Sequence, residues 1–438
     1  MTDARSLAWE VLLEVADGER AEEALRRRLS DSGLAAVDRH LAYELVLGSI
    51  RWRGLLDYSL DALTASPLHA MQPALRELLR LGAYQLVKLD RVPAYAAVNS
   101  AVEAARSKRS TRRAAGLVNA VLRRLDRERP LPPSYDNDPA RHLSVVHSHP
   151  RWLVERWLER YGPERTRALL ENDNAPRPTW VFGNPPAGAV DAGDFEPLEG
   201  FPDAWRYRGE ADLTTRPEYT AGLIFAADPA TTAAPVLLNP RSGEKVLDAA
   251  AAPGGKTAHL RRLGSDDLRL VALELSRPRR AALAAAVKRL GLRAAVVGGD
   301  LTAPPFVPRS FDALLLDAPC SNTGVLARRV EVRWRLKPTD LERLANLQVS
   351  LLRSAAGLVR RGGRLVYSTC SLEPEENLGV VRRFLKKRKD YHLDGLTAAD
   401  PGRAGLPPEH FTLKDGCLSS LPGESGLDGA FVAVLAAD

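Results

Sequence analysis

From about residue 222 the chain alternates short apolar runs with helix-length segments, and this pattern constrains the fold more than any other feature. Lys245-Val-Leu-Asp-Ala249, Leu270-Val-Ala-Leu-Glu274, Ala294-Ala-Val-Val297, Phe311-Asp-Ala-Leu-Leu-Leu-Asp317 and Arg364-Leu-Val-Tyr-Ser368 have the length and composition of buried strands. Between most of them lie segments long enough for amphipathic helices, such as 277–290 and 339–358. Near-continuous apolar strands joined by helices predict an α/β domain built on a parallel, doubly wound sheet. Ligands of such sheets sit beyond the carboxyl ends of the strands, where the strand order reverses. Chemistry is therefore sought at those ends.

The residues before this region read differently. Between Pro73 and Leu89, apolar Leu75, Leu78, Leu79, Leu86 and Val87 recur at three- and four-residue steps, with Arg76, Arg80 and Lys88 between them. Pro73 suits a first helical position. Similar stripes over 7–15, 41–50, 98–105 and 117–125 predict an all-helical domain over 1–128. The basic stretch Arg106-Ser-Lys-Arg-Ser-Thr-Arg-Arg113 is either a solvated loop between helices or a phosphate-contacting patch. A Pro- and turn-rich linker follows near 129–139. A helical pattern resumes at 152–161, and short apolar runs among Pro and Gly suggest a small α+β linking domain over 140–221, before a third domain over 222–438.

With 438 residues there is material for several cores. The net charge of +7 is a modest excess that accommodates a polyanionic partner without requiring one. Three cysteines without a Cys-x-x-Cys pair argue against a disulfide framework and a zinc ribbon, so a reducing compartment and no metal are expected. The charged first ten residues lack the apolar core of a signal peptide, and no apolar run approaches the roughly 20 residues that span a bilayer. A cytoplasmic protein without membrane attachment is expected.

Five strand ends carry candidate chemistry. After the first comes Asp248-Ala-Ala-Ala-Ala-Pro-Gly-Gly-Lys-Thr257, where small residues admit a ligand close to the backbone and a helix starting near Gly255 would aim N–H groups at it. A tight turn requiring glycine explains the pair equally simply. Glu274 ends the second strand, where an acid can bind ribose hydroxyls, and Gly298-Gly299-Asp300 puts another acid beside the same crevice. Either acid alone is often a helix cap. Asp317-Ala-Pro-Cys-Ser321 and Ser368-Thr-Cys-Ser371 each put a thiol just past a strand. Free cysteines are usually small buried hydrophobes, yet both of these are flanked by polar or turn residues. Cys417 has no such setting and reads as structural. After Cys370, the acids of Ser371-Leu-Glu-Pro-Glu-Glu-Asn377 are expected in a helix's first turn, with Lys386 to Lys389 at its far end. A thiol facing that N-terminus would have its thiolate favoured.

Together these blocks, with Gly426-Leu-Asp-Gly-Ala-Phe431 near the C-terminus, resemble the bacterial Sun/RsmB family, which methylates C5 of a cytosine in small-subunit ribosomal RNA. The resemblance covers almost the whole chain. It implies a Rossmann-like class I methyltransferase domain, preceded by a NusB-like helical RNA-binding domain and a small linking domain, that works as a monomer on 16S ribosomal RNA (cytosine 967) with S-adenosylmethionine. It implies that the cofactor is held by Ala250, Ala251, Ala252, Pro253, Gly254, Gly255, Lys256, Glu274, Asp300 and Asp317. It implies that Cys370 is the nucleophile, that Cys320 assists in releasing product, and that Lys256 approaches the target base. The chain departs from the family pattern at Ala250, often cysteine, and at Val330-Glu331, usually Pro-Asp.

The chemistry explains the thiol. C5 of cytosine is a poor nucleophile, and addition of a thiolate to C6 places electron density on C5, splitting one difficult step into easier ones. An acid-side partner is needed near N3 and the exocyclic amine, for which Asp317 stands beside Cys320. The base must leave any stack to reach the pocket. Two other readings compete. Pro253-Gly-Gly-Lys-Thr257 imitates the end of a phosphate-binding loop of an NTPase, but Ala250 occupies the place of its first glycine and the thiols are left without a role. A non-catalytic RNA-binding factor would likewise need neither thiol.

Overall fold

The computed structural model describes residues 3–209, 211–397 and 405–438. Those up to Asn174 form one unit together with Arg329–Arg335, and Ala175–Arg328 with Leu336–Asp438 form a second. The division falls at Asn174, inside the segment 140–221 expected as one linking domain. Leu153, Val154 and Trp157 of the segment Arg151–Asn174 are fully buried, so this stretch gains its core from helices rather than from the strands that follow.

In the second unit the chain first makes β1 (Thr179–Gly183), β2 (Phe195–Pro197), β3 (Ala204–Tyr207) and β4 (Ile224–Ala226), a small antiparallel sheet ordered β2-β3-β1-β4. The five expected apolar runs become β5 (Lys245–Ala249), β6 (Arg269–Glu274), β7 (Ala294–Gly298), β8 (Phe311–Asp317) and β9 (Val359–Thr369). These pair in parallel in the order β9-β8-β5-β6-β7. Three strands extend the β9 side antiparallel, namely β13 (Ala430–Ala437), β12 (Cys417–Ser420) and β11 (Thr412–Lys414), while β10 (Tyr391–Leu393) pairs with β13. The mostly parallel, Rossmann-like α/β sheet is the one the alternation predicts.

Helices Gly255–Leu263, Arg277–Arg289, Pro338–Leu358 and Leu378–Lys387 alternate with the strands. Val246 and Leu247 of β5, Leu314 to Leu316 of β8 and Leu365 to Tyr367 of β9 are fully buried, as central parallel strands must be when both faces are covered. β7 lies at the edge and its residues are only half-buried or exposed. The strand order reverses between β5 and β8, so the carboxyl ends of β5, β6, β8 and β9 open on the crevice this topology creates.

The helical unit runs Ala4–Ala16, Ala21–Ser30, Ala36–Arg51, Arg53–Asp61, Pro73–Lys88, Ala94–Ser107, Ala115–Glu128, Pro139–Val146 and Arg151–Asn174. The last breaks at Gly162, whose φ of 75° precedes Pro163. Its core gathers Trp9, Leu45, Leu56, Leu79 and Leu122. Val330, at the departure from the family pattern, packs into that core with 1% of its surface exposed. Arg333 is fully buried and donates to Ser148 O at 3.2 Å, Asn174 Oδ1 at 2.9 Å and Asp173 O at 3.1 Å. Trp334 Nε1 donates to Ile50 O at 2.7 Å.

Arg80, which falls between the apolar positions of its helix, is buried. Its guanidinium donates to Asp57 at 2.6 and 2.7 Å and to Glu77 at 2.6 Å. This buried ion cluster is invisible to periodicity. Replacing Arg80 by Met should leave Glu77 buried without that cation and cost about 3 kcal/mol, read as a lower urea midpoint for loss of helical signal.

Candidate active site

The turn after β5 is held by its own backbone. Ala250, at φ 72°, and Ala251 both donate their N–H to Leu273 O, at 3.1 and 2.9 Å, and Ala252 O accepts from Arg279 at 2.8 Å. Gly254 caps the next helix at φ 113°, which a side chain adopts only with strain. With the Ala250 and Ala251 amides engaged, the loop offers a ligand the N-terminus of the helix at Gly255. Behind it Asp248 is fully buried; Thr257 Oγ1 donates to its Oδ2 at 2.6 Å, and Oδ1 has no hydrogen-bond partner among the described residues. Burial pushes this carboxyl up to about 7, against the Thr257 hydrogen bond.

At the end of β6, Glu274 is buried. Its Oε1 accepts from Ser276 N at 2.8 Å, while Oε2 has no hydrogen-bond partner among the described residues and lies 3.6 Å from Arg279 Nη2. A buried carboxylate oxygen in that state suits a ligand hydroxyl. Leu275 beside it is 63% exposed, an apolar surface at the same strand end. Asp300 follows the end of β7, whose Gly298 pairs with Glu274. Its Oδ1 accepts from Thr302 N at 2.8 Å, and the Thr302 hydrogen bonds hold the carboxyl below its ordinary range. The structure gives Asp300 this local turn, and no described bond links it to Glu274.

The ends of β8 and β9 converge. Asp317 pairs in register with Ser368, whose hydroxyl donates to Asp317 Oδ1 at 2.9 Å. Lys256 Nζ donates to Asp317 Oδ2 at 2.8 Å. Burial works against the Lys256 charge, but Asp317 and then Cys370 raise its pKa above the ordinary lysine range. Three residues past Asp317 stands Cys320, and two past Ser368 stands Cys370; their Sγ atoms are 3.3 Å apart. Both are free thiols. The hydrogen bond to Cys370, then burial, pushes the Cys320 thiol well above the ordinary thiol range, and either sulfur can donate in the bond between them. Asn322 Oδ1 lies 3.4 Å from Cys370 Sγ, and its Nδ2 donates to Cys320 O at 2.7 Å.

The segment after Cys370 departs from expectation. The helix begins only at Leu378, and its first turn holds no acid. Residues 371–377 instead form a turn in which Glu373 and Glu376 are fully buried. From this turn Glu376 accepts from the hydroxyls of Ser321 and Ser371, each adjoining a cysteine. The helix start is thus eight residues away in sequence from the thiol it was to activate, and among the described residues the Cys370 sulfur is bonded to Cys320 and Asn322. Cys417, by contrast, is buried, and burial pushes its thiol up to about 11, as suits a structural cysteine.

Of the expected site residues, the structure joins Lys256, Asp317, Cys320 and Cys370 in one cluster. Glu376, Asn322, Gln348 and the Asp248–Thr257 pair were not anticipated. The signal for Glu376 was present, since each of the paired cysteines is followed by a serine that must find a partner once buried.

A doubly wound parallel sheet with a small-residue turn, a buried acid at the next strand end and paired thiols at the ends of two adjacent strands defines a Rossmann-like methyltransferase. Residues 235–436 match the family described as 16S rRNA methyltransferase RsmB/F, and residues 2–127 match the NusB family. The chain is 33% identical to a probable ribosomal RNA small subunit methyltransferase B of Bacillus subtilis (strain 168), over 98% of each chain. It is 33% identical to ribosomal RNA small subunit methyltransferase B of Vibrio cholerae, covering 91% of this chain and 89% of that one. The crystal structure of PH0851 shares the fold, with a TM-score of 0.84 and 24% identity, covering 99% of this chain and 98% of that one. The chain belongs to the RsmB family of ribosomal RNA methyltransferases, with a NusB-type helical region, and its cofactor is S-adenosylmethionine.

Among the described residues no helix is long and apolar enough to cross a membrane, and no cluster of His, Cys, Asp and Glu could hold a metal ion.

The buried Asp248 generates a test of the site's electrostatics. Its folded pKa of about 7 stands above the ordinary 3.8, so between these values the folded chain keeps a proton that the unfolded chain has lost. Stability must therefore fall as pH rises through that window. Asp248→Asn should remove this component, so the variant gains on the wild type in unfolding temperature from about pH 4 to pH 7; parallel curves across that range would refute the assignment.

Proposed function

We propose that this protein methylates C5 of a cytosine in 16S ribosomal RNA, cytosine 967 by family resemblance, through a covalent bond between Cys370 and C6. The observation that carries this reading is the pair of thiols 3.3 Å apart at the ends of adjacent parallel strands, beside the Lys256–Asp317 pair.

When bound, S-adenosylmethionine supplies an electrophilic methyl group. The residues fit it: Glu274 offers a buried carboxylate oxygen to the ribose, and the turn 250–256 with the helix start at Gly255 would hold the methionine portion. Asp300 and Asp317 complete the cofactor set. Cys370 adds to C6 of the extruded base, which makes C5 nucleophilic. Asp317, oriented by Lys256 and Ser368, is placed for the N3 edge of the ring, where its carboxylate accepts a hydrogen bond from the exocyclic amine and fixes the base for addition. Lys256 approaches the same base. Once C5 carries its methyl group, its proton passes to solvent water, the C5–H electron pair re-forms the C5–C6 double bond, and the C6–S bond breaks to release Cys370 as the thiolate. Cys320, the protonated neighbour, is placed to return a proton to the departing sulfur.

The helical region provides RNA contacts. Arg106, Arg109, Arg112 and Arg113 are exposed around the end of helix Ala94–Ser107, while Thr111 is buried and anchors the turn. Such a cluster contacts phosphates and makes binding salt-dependent. The protein would act in the cytoplasm as a monomer without metal.

Cys370→Ala should abolish transfer of label from the methyl donor to bare small-subunit RNA while RNA binding persists; retained turnover would rule the nucleophile out. Cys320→Ser should accumulate a protein–RNA adduct that survives denaturant, detected by its retarded mobility in a denaturing gel. Its absence would count against Cys320 but not Cys370. Bisulfite mapping of the RNA identifies the cytosine.

A further inference from the structure

Cys320 and Cys370 are each followed by a serine, and both serine hydroxyls converge on one carboxylate. Glu376 is fully buried. Its Oε2 accepts from Ser371 Oγ at 2.5 Å and from Ser321 Oγ. Its Oε1 accepts from Ser321 N at 2.9 Å and from Gln348 Nε2 at 2.9 Å. Four donors meet the roughly four acceptor positions of an ionised carboxylate. This satisfaction allows a charge to stand in the interior, although burial raises the Glu376 pKa against these hydrogen bonds.

The turn bearing Glu376 is fastened to the same strand end. Tyr367 hydroxyl donates to Glu376 O at 2.6 Å, Thr369 Oγ1 to Asn377 Oδ1 at 2.6 Å, and Asn377 Nδ2 to Ser371 O at 2.8 Å. On the other side Gln348 Nε2 also donates to Pro319 O at 2.9 Å, next to Cys320. Strand pairing brings the loops near each other only as far as Asp317 and Ser368. Beyond those residues the loops also meet through Ala318 N to Ser368 O at 2.8 Å, Gly324 N to Cys370 O at 2.9 Å and Leu372 N to Thr323 Oγ1 at 2.9 Å, and Glu376 is the carboxylate that bonds to both of the serines flanking the cysteines.

We propose that Glu376 is a positioning residue: by clamping the serines that follow the two cysteines it holds Cys320 within reach of Cys370, and through that spacing it governs release of the methylated RNA. The second half rests on the function proposed above. The first half does not.

The test uses full-length Glu376→Ala and Glu376→Gln. Glutamine keeps the shape, since its oxygen can face Ser321 N and Gln348 while its amide N–H groups face the serine hydroxyls, which can turn to accept. Without RNA, the thiols are oxidised with diamide; two thiols lose two hydrogens as one disulfide forms, and the azo group takes them up as a hydrazine. Mass spectrometry follows the Cys320–Cys370 disulfide. Its formation should slow on the order of tenfold or more in Glu376→Ala and recover most of its rate in Glu376→Gln. With RNA and methyl donor, Glu376→Ala should lose turnover and accumulate the denaturant-resistant adduct, while donor affinity stays within about threefold. A role confined to stability would lower the unfolding temperature without trapping adduct. A folded Glu376→Ala that forms the disulfide at the wild-type rate overturns the proposal, as does normal release of product. Should that variant fail to fold, Ser321→Ala and Ser371→Ala each remove one arm of the clamp, and wild-type disulfide rates in both would equally overturn it. If the wild type transfers no methyl to RNA, the functional reading fails while the disulfide rates still report the spacing.

Discussion

The pairing of Phe311–Asp317 with Val359–Thr369 is the constraint from which the site follows. Parallel strands run in one direction, so neighbouring carboxyl ends must lie side by side even when about fifty residues of chain separate them. The register places Asp317 opposite Ser368, and the loops beyond carry Cys320 and Cys370 into contact. A slip of one residue would invert every side chain of a strand and separate the Asp317 carboxylate from the Ser368 hydroxyl. The apolar residues Leu314 to Leu316 and Leu365 to Tyr367 hold that register, because both faces of these strands are covered.

Around this centre the protein satisfies each buried acid in a different way. Asp317, partly open to solvent, has a cation and a hydroxyl as partners. Glu376 has four neutral donors and no described cation partner. Asp248 has a single hydroxyl, and the imbalance appears as a raised pKa. Glu274 keeps an oxygen available for a ligand. Elsewhere in the same unit, Arg328 joins Asp228 and Asp428 at 3.0 and 2.8 Å, and Arg177 approaches Asp428 at 3.2 Å. Asp428 belongs to the Gly-Leu-Asp-Gly block near the C-terminus. That block therefore acts structurally, tying together the start of β1, the segment before β5 and the loop beyond the thiols.

Membership of the RsmB family sets aside the nucleotide-hydrolase reading of Pro253-Gly-Gly-Lys-Thr257. The structure explains why the likeness arose. Both uses place glycines and a lysine at a strand-to-helix turn, but here Lys256 faces the Asp317 carboxylate at the neighbouring strand end.

Local sequence determined the elements and most of the chemistry. Apolar runs between helix-length segments define the parallel sheet, since a strand covered on both faces has few other compositions available, and motif blocks placed Cys320, Cys370, Asp317 and Glu274 at strand ends. Tertiary structure decided what depends on distance between residues remote in sequence. Arg80 went inside because Asp57 lies across from it, a fact no helical period records. The acids after Cys370 lie outside the expected helix, and Glu376 among them bonds to two serines fifty residues apart. Hydrophobic periodicity is a property of one segment, whereas the energy of a buried charge depends on which donors the rest of the chain brings to it.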